Sequence, residues 1–497
     1  MPAGRVWVVP AMRGSGAGGY NHGMTNITMQ PVADMLAEHL DSAVHGAVIW
    51  PGDAAYDDVR VAYNALHDRR PALIVRAAGV ADVITTVNAA RSNNVPLAVR
   101  GGGHSIAGFS TCDRGIVLDL GTMRSIRVDP SRRTARAEPG CTWGDLNHAT
   151  HAFGLATTGG IVSTTGIAGL TLGGGMGFLA RRCGLTCDNL VSADVVTADG
   201  TFVTCAESRE PDLFWALRGG GGNFGVVTSF EYRLHPVADI LGGPTFYPLD
   251  GDVVRGYLKM MADAPEALGA VLGFVLGPPA PFVPERWHGR PMIAILTCWS
   301  GPADDDGQIR AHLNVVGPVT GQYLERMPYP AINTLFDQDL PPGLRHYWKG
   351  VYTRTLTDEA IGVHLDYGAT LPSPQTATLV FPIDGACHRV APEQTAFGHR
   401  DVAFAAGFGG SWADPTDDDA NIAWTRAYDA ALRPLSAEGG YVNFMAPDDA
   451  DMVRVNYGRN HDRLAGIKHR YDPGNLFRLN HNIAPQIVTV ERSSTGP

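Results

Sequence analysis

Positive charge is scarce in this chain. Across 497 residues, 39 lysines and arginines stand against 50 aspartates and glutamates, a formal net charge of −11. Nucleic acids and anionic membranes need basic patches, so neither is expected as a partner. Charged residues make up 18% and apolar residues 44%, the balance of a soluble globular protein. Long apolar runs are missing as well, and no segment reaches the roughly 20 residues of a transmembrane helix. The apolar run at residues 6–12 is short and broken by Pro10, which excludes a convincing secretory signal. A cytoplasmic location is therefore expected. Cysteine is sparse: Cys112, Cys141, Cys183, Cys187, Cys205, Cys298 and Cys387 are odd in number and irregular in spacing, so no disulfide framework is implied. Cys183 and Cys187 lack a second Cys/His pair at zinc spacing. The acidic stretch at 414–419 lacks the glycine and distal glutamate of a calcium loop. No metal site is expected.

Glycine is what the chain has in excess, with 60 residues, many of them clustered. The first cluster is Arg100-Gly101-Gly102-Gly103-His104-Ser105. It follows a strand-like run at 95–99 and precedes another at 116–120, so it reads as a strand-to-strand loop. Successive residues without Cβ let the backbone approach a ligand and turn several N–H groups toward one anion. His104 follows this cradle directly and is placed to touch what it holds. The second cluster runs from Gly159 through Gly166, Gly169 and Gly174 to Gly177. It reads as bare backbone against a flat ring or a diphosphate, or as a helix packed closely through its glycines. The third, Arg218 to Gly225, contains a literal G-x-G-x-x-G. A dinucleotide turn of that type must open a helix. Here it runs into the β-branched, alternating segment 226–234, so a nicotinamide dehydrogenase is disfavoured.

The length calls for two or three domains. Short strands and helices alternate through residues 54–235, with an Asp199-Gly200 hairpin near the middle. Beyond about residue 236 the glycine clusters thin out and proline-rich stretches separate new strand and helix candidates. The assignment is an N-terminal extension at 1–50, partly disordered around residues 14–19, and a cofactor domain at 51–235. An inserted substrate domain follows at 236–445, and the closing segment at 446–497 completes the cofactor domain.

The motifs RGGGHS (100–105), TTGGIVSTTGIAGLTLGGGMG (157–177), CDNLVSADVVTADG (187–200), DLFWALRGGGGNFGVVTSF (212–230), GYVNF (440–444) and YDPGNLFRLNHNI (471–483) occur in one order along the chain. Together they resemble the FAD-linked oxidases of the vanillyl-alcohol oxidase / p-cresol methylhydroxylase superfamily, in particular its bacterial berberine-bridge-like, 6-hydroxynicotine-oxidase-like group. The resemblance implies an α+β, two-domain fold with an inserted antiparallel-sheet substrate domain. It implies FAD, bonded covalently through His104. Arg100, Gly101, Gly102, Gly103 and Ser105 would cradle the diphosphate. Gly159, Thr165, Gly166, Gly169, Gly174 and Gly177 would line the cofactor, Val226 would meet its adenine end, and Asn480 and Asn482 its ring. Where many relatives carry a second, cysteinyl link, this chain has Val162, so a single link is expected. Where several carry a catalytic tyrosine after the Y-x-N asparagine, Asn443 is followed by Phe444.

The base must then come from elsewhere. Lys349 is the first candidate, on a strand expected to face the flavin and with its pKa lowered by burial from the usual 10.4 or so. Tyr352, Tyr457 and His399 follow. The expected activity is an oxidase. It takes hydride from a C–H next to an OH or NH of a small organic molecule (a secondary metabolite, sugar or N-heterocycle) and returns electrons to O2 as H2O2. A dehydrogenase or an oxygenating or rearranging enzyme on the same covalent FAD is the alternative. A monomer or homodimer is expected.

Overall fold

The computed structural model describes residue 36 and residues 40–487. The expected disorder at residues 14–19 lies outside them. Among the described residues the architecture is α+β, with a four-stranded, a five-stranded and a large eight-stranded sheet, and a two-stranded pair of Leu155–Ala156 with His235–Pro236. In the first sheet, Leu73–Arg76, Ile116–Asp119 and Leu97–Arg100 run parallel, and Ala47–Ile49 adds an antiparallel edge. These are near-continuous apolar runs, as parallel strands covered on both faces require. The chain leaves Arg100 through the Gly101–Gly103 loop, so the loop emerges at the carboxyl ends of the parallel strands.

The second sheet is antiparallel, in the order Ile126–Asp129, Thr134–Ala137, Val226–Arg233, Leu190–Val196, Phe202–Ala206. The segment after the G-x-G-x-x-G match is thus its central strand. The helix Trp143–His151 is started by a capping box in which Thr142 Oγ1 accepts from the Asp145 amide and the Asp145 carboxylate accepts from the Thr142 amide. Its first residue, Trp143, lies under Gly159, where an added Cβ would come within 2.2 Å of the indole.

The large sheet spans residues 239–412 and is antiparallel throughout. Its main strands are ordered Asp239–Pro248, Pro291–Trp299, Leu268–Leu276, Ala377–Pro382, Phe404–Trp412, Arg345–Thr353. One face is covered by helices: Tyr257, Met261, Leu313, Ile361 and Tyr428 pack on Leu272, Ile295, Val351 and Phe408. Because side chains alternate along a strand, the neighbouring residues turn to the other face. That face meets the first half of the chain, where Val271, Leu296 and Phe381 join Phe178, Leu179 and Met176 in a shared apolar cluster.

The closing segment is tied down by one buried cation. Lys468, on the helix His461–Tyr471, is fully buried. Its ammonium donates to Asp472 Oδ2 at 2.6 Å and to the carbonyls of Asn223 (2.8 Å) and Phe477 (3.0 Å). The Asp472 carboxylate accepts in turn from the Leu476 and Phe477 amides. Asn223 completes the clasp, its Oδ1 accepting from the Ile483 amide at 3.0 Å. Residues 472–483 are thereby fastened to the third glycine cluster. Lys468→Met would strand the Asp472 charge in the interior. The expected cost is about 3–5 kcal/mol of folding stability, read as a lower denaturant midpoint; an unchanged midpoint would show that the clasp holds nothing.

Candidate active site

Between the large sheet and the glycine loops lies a cavity of about 1340 Å³. One wall is backbone. Gly102 and Gly166, from the first and second clusters, meet so closely that a Cβ on Gly102 would lie 2.5 Å from the Gly166 Cα, and one on Gly166 would lie 2.6 Å from the Gly102 nitrogen. Gly103 has φ +75° and Gly221 φ +74°, a region that residues with a Cβ rarely occupy. Gly101, Gly102, Gly103, Ser105, Thr165, Gly166, Gly169 and Val226 all line the cavity.

His104 lines it as well. Its ring stacks on Tyr63 with centroids 3.8 Å apart and planes 17° from parallel. Tyr63 stacks on its other side against His346, at 5.1 Å and 7°. Burial pushes the His104 imidazole down to about 4, against an opposing hydrogen bond to the Thr164 backbone. The ring is therefore neutral near pH 7. With one nitrogen engaged by the backbone, the other keeps a lone pair, as a nucleophile requires.

Other expected contacts fall differently. Arg100 does not serve the cradle: its guanidinium is buried and donates to the carbonyls of Ser110, Val59 and Arg60. Gly159, Gly174 and Gly177 lie outside the cavity lining. A side chain there would strike Trp143, Phe397 and the Gly159 carbonyl respectively, so these glycines serve packing. Asn480 lines the cavity and Asn482 does not, although the Oδ1 of each is buried without a partner among the described residues. Asn443 lines it, packing over Gly173 and donating to Tyr441 Oη at 2.7 Å. Tyr457 lines it with a hydroxyl that has no partner among the described residues, and burial raises its pKa, so it suits a hydrogen bond better than proton removal.

Lys349 departs most from expectation. On Arg345–Thr353 it shares a face with Tyr347 and Val351, whereas His346 and Trp348 turn to the cavity. Its ammonium pairs with Asp449 and, at 3.1 Å, with Asp448. Burial works against the charge, but the bonds to Asp449 and Asp448 outweigh it and the pKa is raised. A general base needs the opposite shift. Tyr352 and His399 also lie off the cavity, stacked on each other at 4.4 Å. His399 Nε2 lies 2.6 Å from the Asn456 carbonyl. Burial raises the Tyr352 pKa far above its usual value.

The residues missed are Tyr63, His346, Trp348 and His481, all on the lining. For His346 and Trp348 a signal existed: they alternate with Lys349 along one strand, so placing any one of the three fixes the others. Tyr63 lies in a loop and carries no such signal.

Two family models match the chain, "FAD binding domain" over residues 71–206 and "Berberine and berberine like" over residues 440–484. The (R)-6-hydroxynicotine oxidase of Paenarthrobacter nicotinovorans is 32% identical over 458 residues, covering 89% of this chain and 98% of that one. The chain belongs to the berberine-bridge-like FAD-linked oxidoreductases. The crystal structure of 6-hydroxy-D-nicotine oxidase from Arthrobacter nicotinovorans superposes with a TM-score of 0.80 at 28% identity, over 89% of this chain and 98% of that chain. Glucooligosaccharide oxidase from Acremonium strictum, described with a 6-S-cysteinyl, 8α-N1-histidyl FAD, shares the fold with a TM-score of 0.79 at 23% identity, over 91% of this chain and 99% of that chain.

The residues present fit FAD. The Gly102–Gly166 contact forms a cradle that any Cβ would fill, and the buried Tyr457 Oη and Asn480 Oδ1, without partners among the described residues, offer polar atoms to a ligand. In this oxidoreductase, Gly102→Ala is expected to force the two loops apart. Purified protein should then lose most of its yellow flavin absorbance. Full flavin content in the variant would show that the close approach is not needed for cofactor binding.

Proposed function

We propose that this enzyme is an oxidase whose FAD is bonded covalently to His104 alone. The observation that carries the reading is His104 itself: a half-buried, neutral imidazole stacked on Tyr63 at the end of the glycine cradle. Two further observations support it. Val162 lines the cavity at the position where a second link would need a thiol. All seven cysteines are buried, and none lines the cavity. Burial also raises their pKa values, for instance to about 11 at Cys183 and about 12 at Cys205, which disfavours the thiolate.

The chain's own groups have separable tasks in this reading. The backbone of Gly101–Gly103, with Ser105, holds the diphosphate. His104 anchors the ring system, and Asn443, Asn480 and Tyr457 supply polar contacts around it. FAD, when bound, supplies a two-electron acceptor for a hydride from a C–H next to an OH or NH of a small organic substrate, and dioxygen then takes the electrons as hydrogen peroxide. Because an imidazole link withdraws electrons and prevents loss of the cofactor, it favours the oxidising direction. The large sheet lies opposite the glycine wall across the cavity, so a bound cofactor and substrate would displace water from between them, which strengthens the polar contacts made there.

Acid precipitation of the wild-type protein should leave the flavin in the pellet, and a tryptic digest should carry it on the His104 peptide only. His104→Ala should release all of it to the supernatant. Flavin on any cysteine peptide would overturn the single link, and free flavin from wild-type protein would overturn the covalent claim. Turnover without peroxide would replace the oxidase with a dehydrogenase.

A further inference from the structure

Resting on the reading that this cavity holds FAD, we propose that its outer chamber takes an uncharged aromatic substrate bearing one hydroxyl, which shares a hydrogen bond with His346 Nε2. The large sheet presents one face to the cavity, and that face is aromatic and aliphatic: Phe246, Leu296, Leu379, Phe381 and Trp348, with Phe444 lying over it. Room for the rings is built in. On the strand Phe404–Trp412, a Cβ at Gly407 would come within 2.6 Å of the Phe444 ring, and one at Gly409 within 2.7 Å of the Trp348 ring. Trp348 and Phe444 then meet with centroids 5.5 Å apart. Walls of this kind suit a flat aromatic body.

The polar inventory points the same way. Among the described residues, Asp339 is the one Asp, Glu, Lys or Arg on the lining, and it sits exposed on a loop. A charged substrate would lose its hydration against this wall without gaining a partner. The neutral polar side chains of the outer lining, Gln338, Tyr323 and Gln375, are exposed or half-buried and remain hydrated, so a sugar gains little by exchanging water for them. A single hydrogen-bonding group, in contrast, is met. His346 is buried, lines the cavity, and has an Nε2 with no partner among the described residues.

Its surroundings fix the ring. Asn64 Oδ1 accepts from the His346 amide and Asn64 Nδ2 donates to the His346 carbonyl, both at 2.8 Å. Nδ1 lies 2.9 Å from Ser411 Oγ. Ser411 Oγ also accepts from Trp348 Nε1 at 3.3 Å, so its own proton can go to Nδ1 and leave Nε2–H to donate; in the other tautomer Nε2 accepts, and a hydroxyl, which both donates and accepts, meets either. Burial, with His104 nearby, pushes the His346 imidazole down to about 4, so the ring adds no charge to the chamber. Through Tyr63, which stacks on both rings, the His346 imidazole is held in register with His104.

Equilibrium dialysis of the flavin-loaded enzyme against 2-naphthol, naphthalene, 2-naphthoate and cellobiose tests this. 2-Naphthol should bind about tenfold more tightly than naphthalene, the worth of one good buried hydrogen bond. Cellobiose and 2-naphthoate should bind far more weakly than either. In His346→Leu the affinity for 2-naphthol should fall to that for naphthalene, with naphthalene itself unchanged. A tenfold preference that survives in His346→Leu, or cellobiose binding as tightly as 2-naphthol, would overturn the proposal. If the variant does not fold, the wild-type comparison still decides, since equal affinity for 2-naphthol and naphthalene also overturns it. Flavin content is read separately by absorbance. Flavin-loaded protein that binds none of the probes sinks this inference and leaves the FAD reading standing, whereas protein that never holds flavin sinks both.

Discussion

The Gly102 nitrogen and the Gly166 Cα occupy space in which no methyl group fits. That contact joins two loops from distant parts of the chain, one leaving the parallel sheet at Arg100 and one entering the helix Ile167–Leu172. Everything that defines the site is referred to it. His104 stands two residues past Gly102, so its ring position follows from how deeply the first loop can seat. Thr165 precedes Gly166 and lines the cavity because the second loop seats equally deeply. Glycine is needed here because two backbones must touch; flexibility alone would not explain it.

A wall made of backbone cannot hold itself in place, since it has no side chains to interdigitate. Its support comes from behind. Trp143 fills the space under Gly159, Phe397 the space beside Gly174, and Asn443 the space over Gly173. On the far side the Lys468–Asp472 clasp fixes the third cluster through the Asn223 carbonyl. The buried Arg400–Asp188 pair, at 2.7 Å, ties the large-sheet part of the chain to the segment after the second cluster. Charges buried in this way are costly unless fully bonded, so they specify one arrangement more than they add stability. The site faces a scaffold in which each glycine loop has a rigid partner.

The parts of this arrangement that were legible in the sequence are those set by short-range chemistry. Apolar runs of four or five residues flanked by glycine identify the parallel strands. The β-branched run at 226–233 shows that the third glycine cluster opens a strand. The motif order identifies the family, and with it FAD and the α+β fold. What could not be read is orientation. Arg100 precedes the cradle and looks like its cation, yet its guanidinium is consumed by three backbone carbonyls. Gly159, Gly174 and Gly177 look like neighbouring residues of the same wall, yet they face packing partners. Nothing within a glycine motif distinguishes backbone bared to a ligand from backbone bared to a tryptophan.

Strand parity decides the remaining case, and it does so through a single residue step. Along Arg345–Thr353 a shift of one position exchanges the two faces of the sheet. Lys349 is paired across the ladder with Phe408, a residue of the helix-covered core, whereas His346 and Trp348 are paired with Ser411 and Gly409. Phe408, packed against Tyr428 in the helix-covered core, fixes the first assignment. The glycines at 407 and 409 fix the second, because a Cβ at 407 would strike the Phe444 ring and one at 409 the Tyr347 carbonyl and Trp348. Once that parity is set, the lysine ends in the Asp448–Asp449 ion pair and the histidine at the cavity wall. The strand therefore brings two titratable side chains close to the site and gives them opposite environments: one carboxylate-paired and held charged, the other desolvated and held neutral. Packing of the apolar neighbours, more than the intrinsic chemistry of either residue, determines which of the two can meet a substrate.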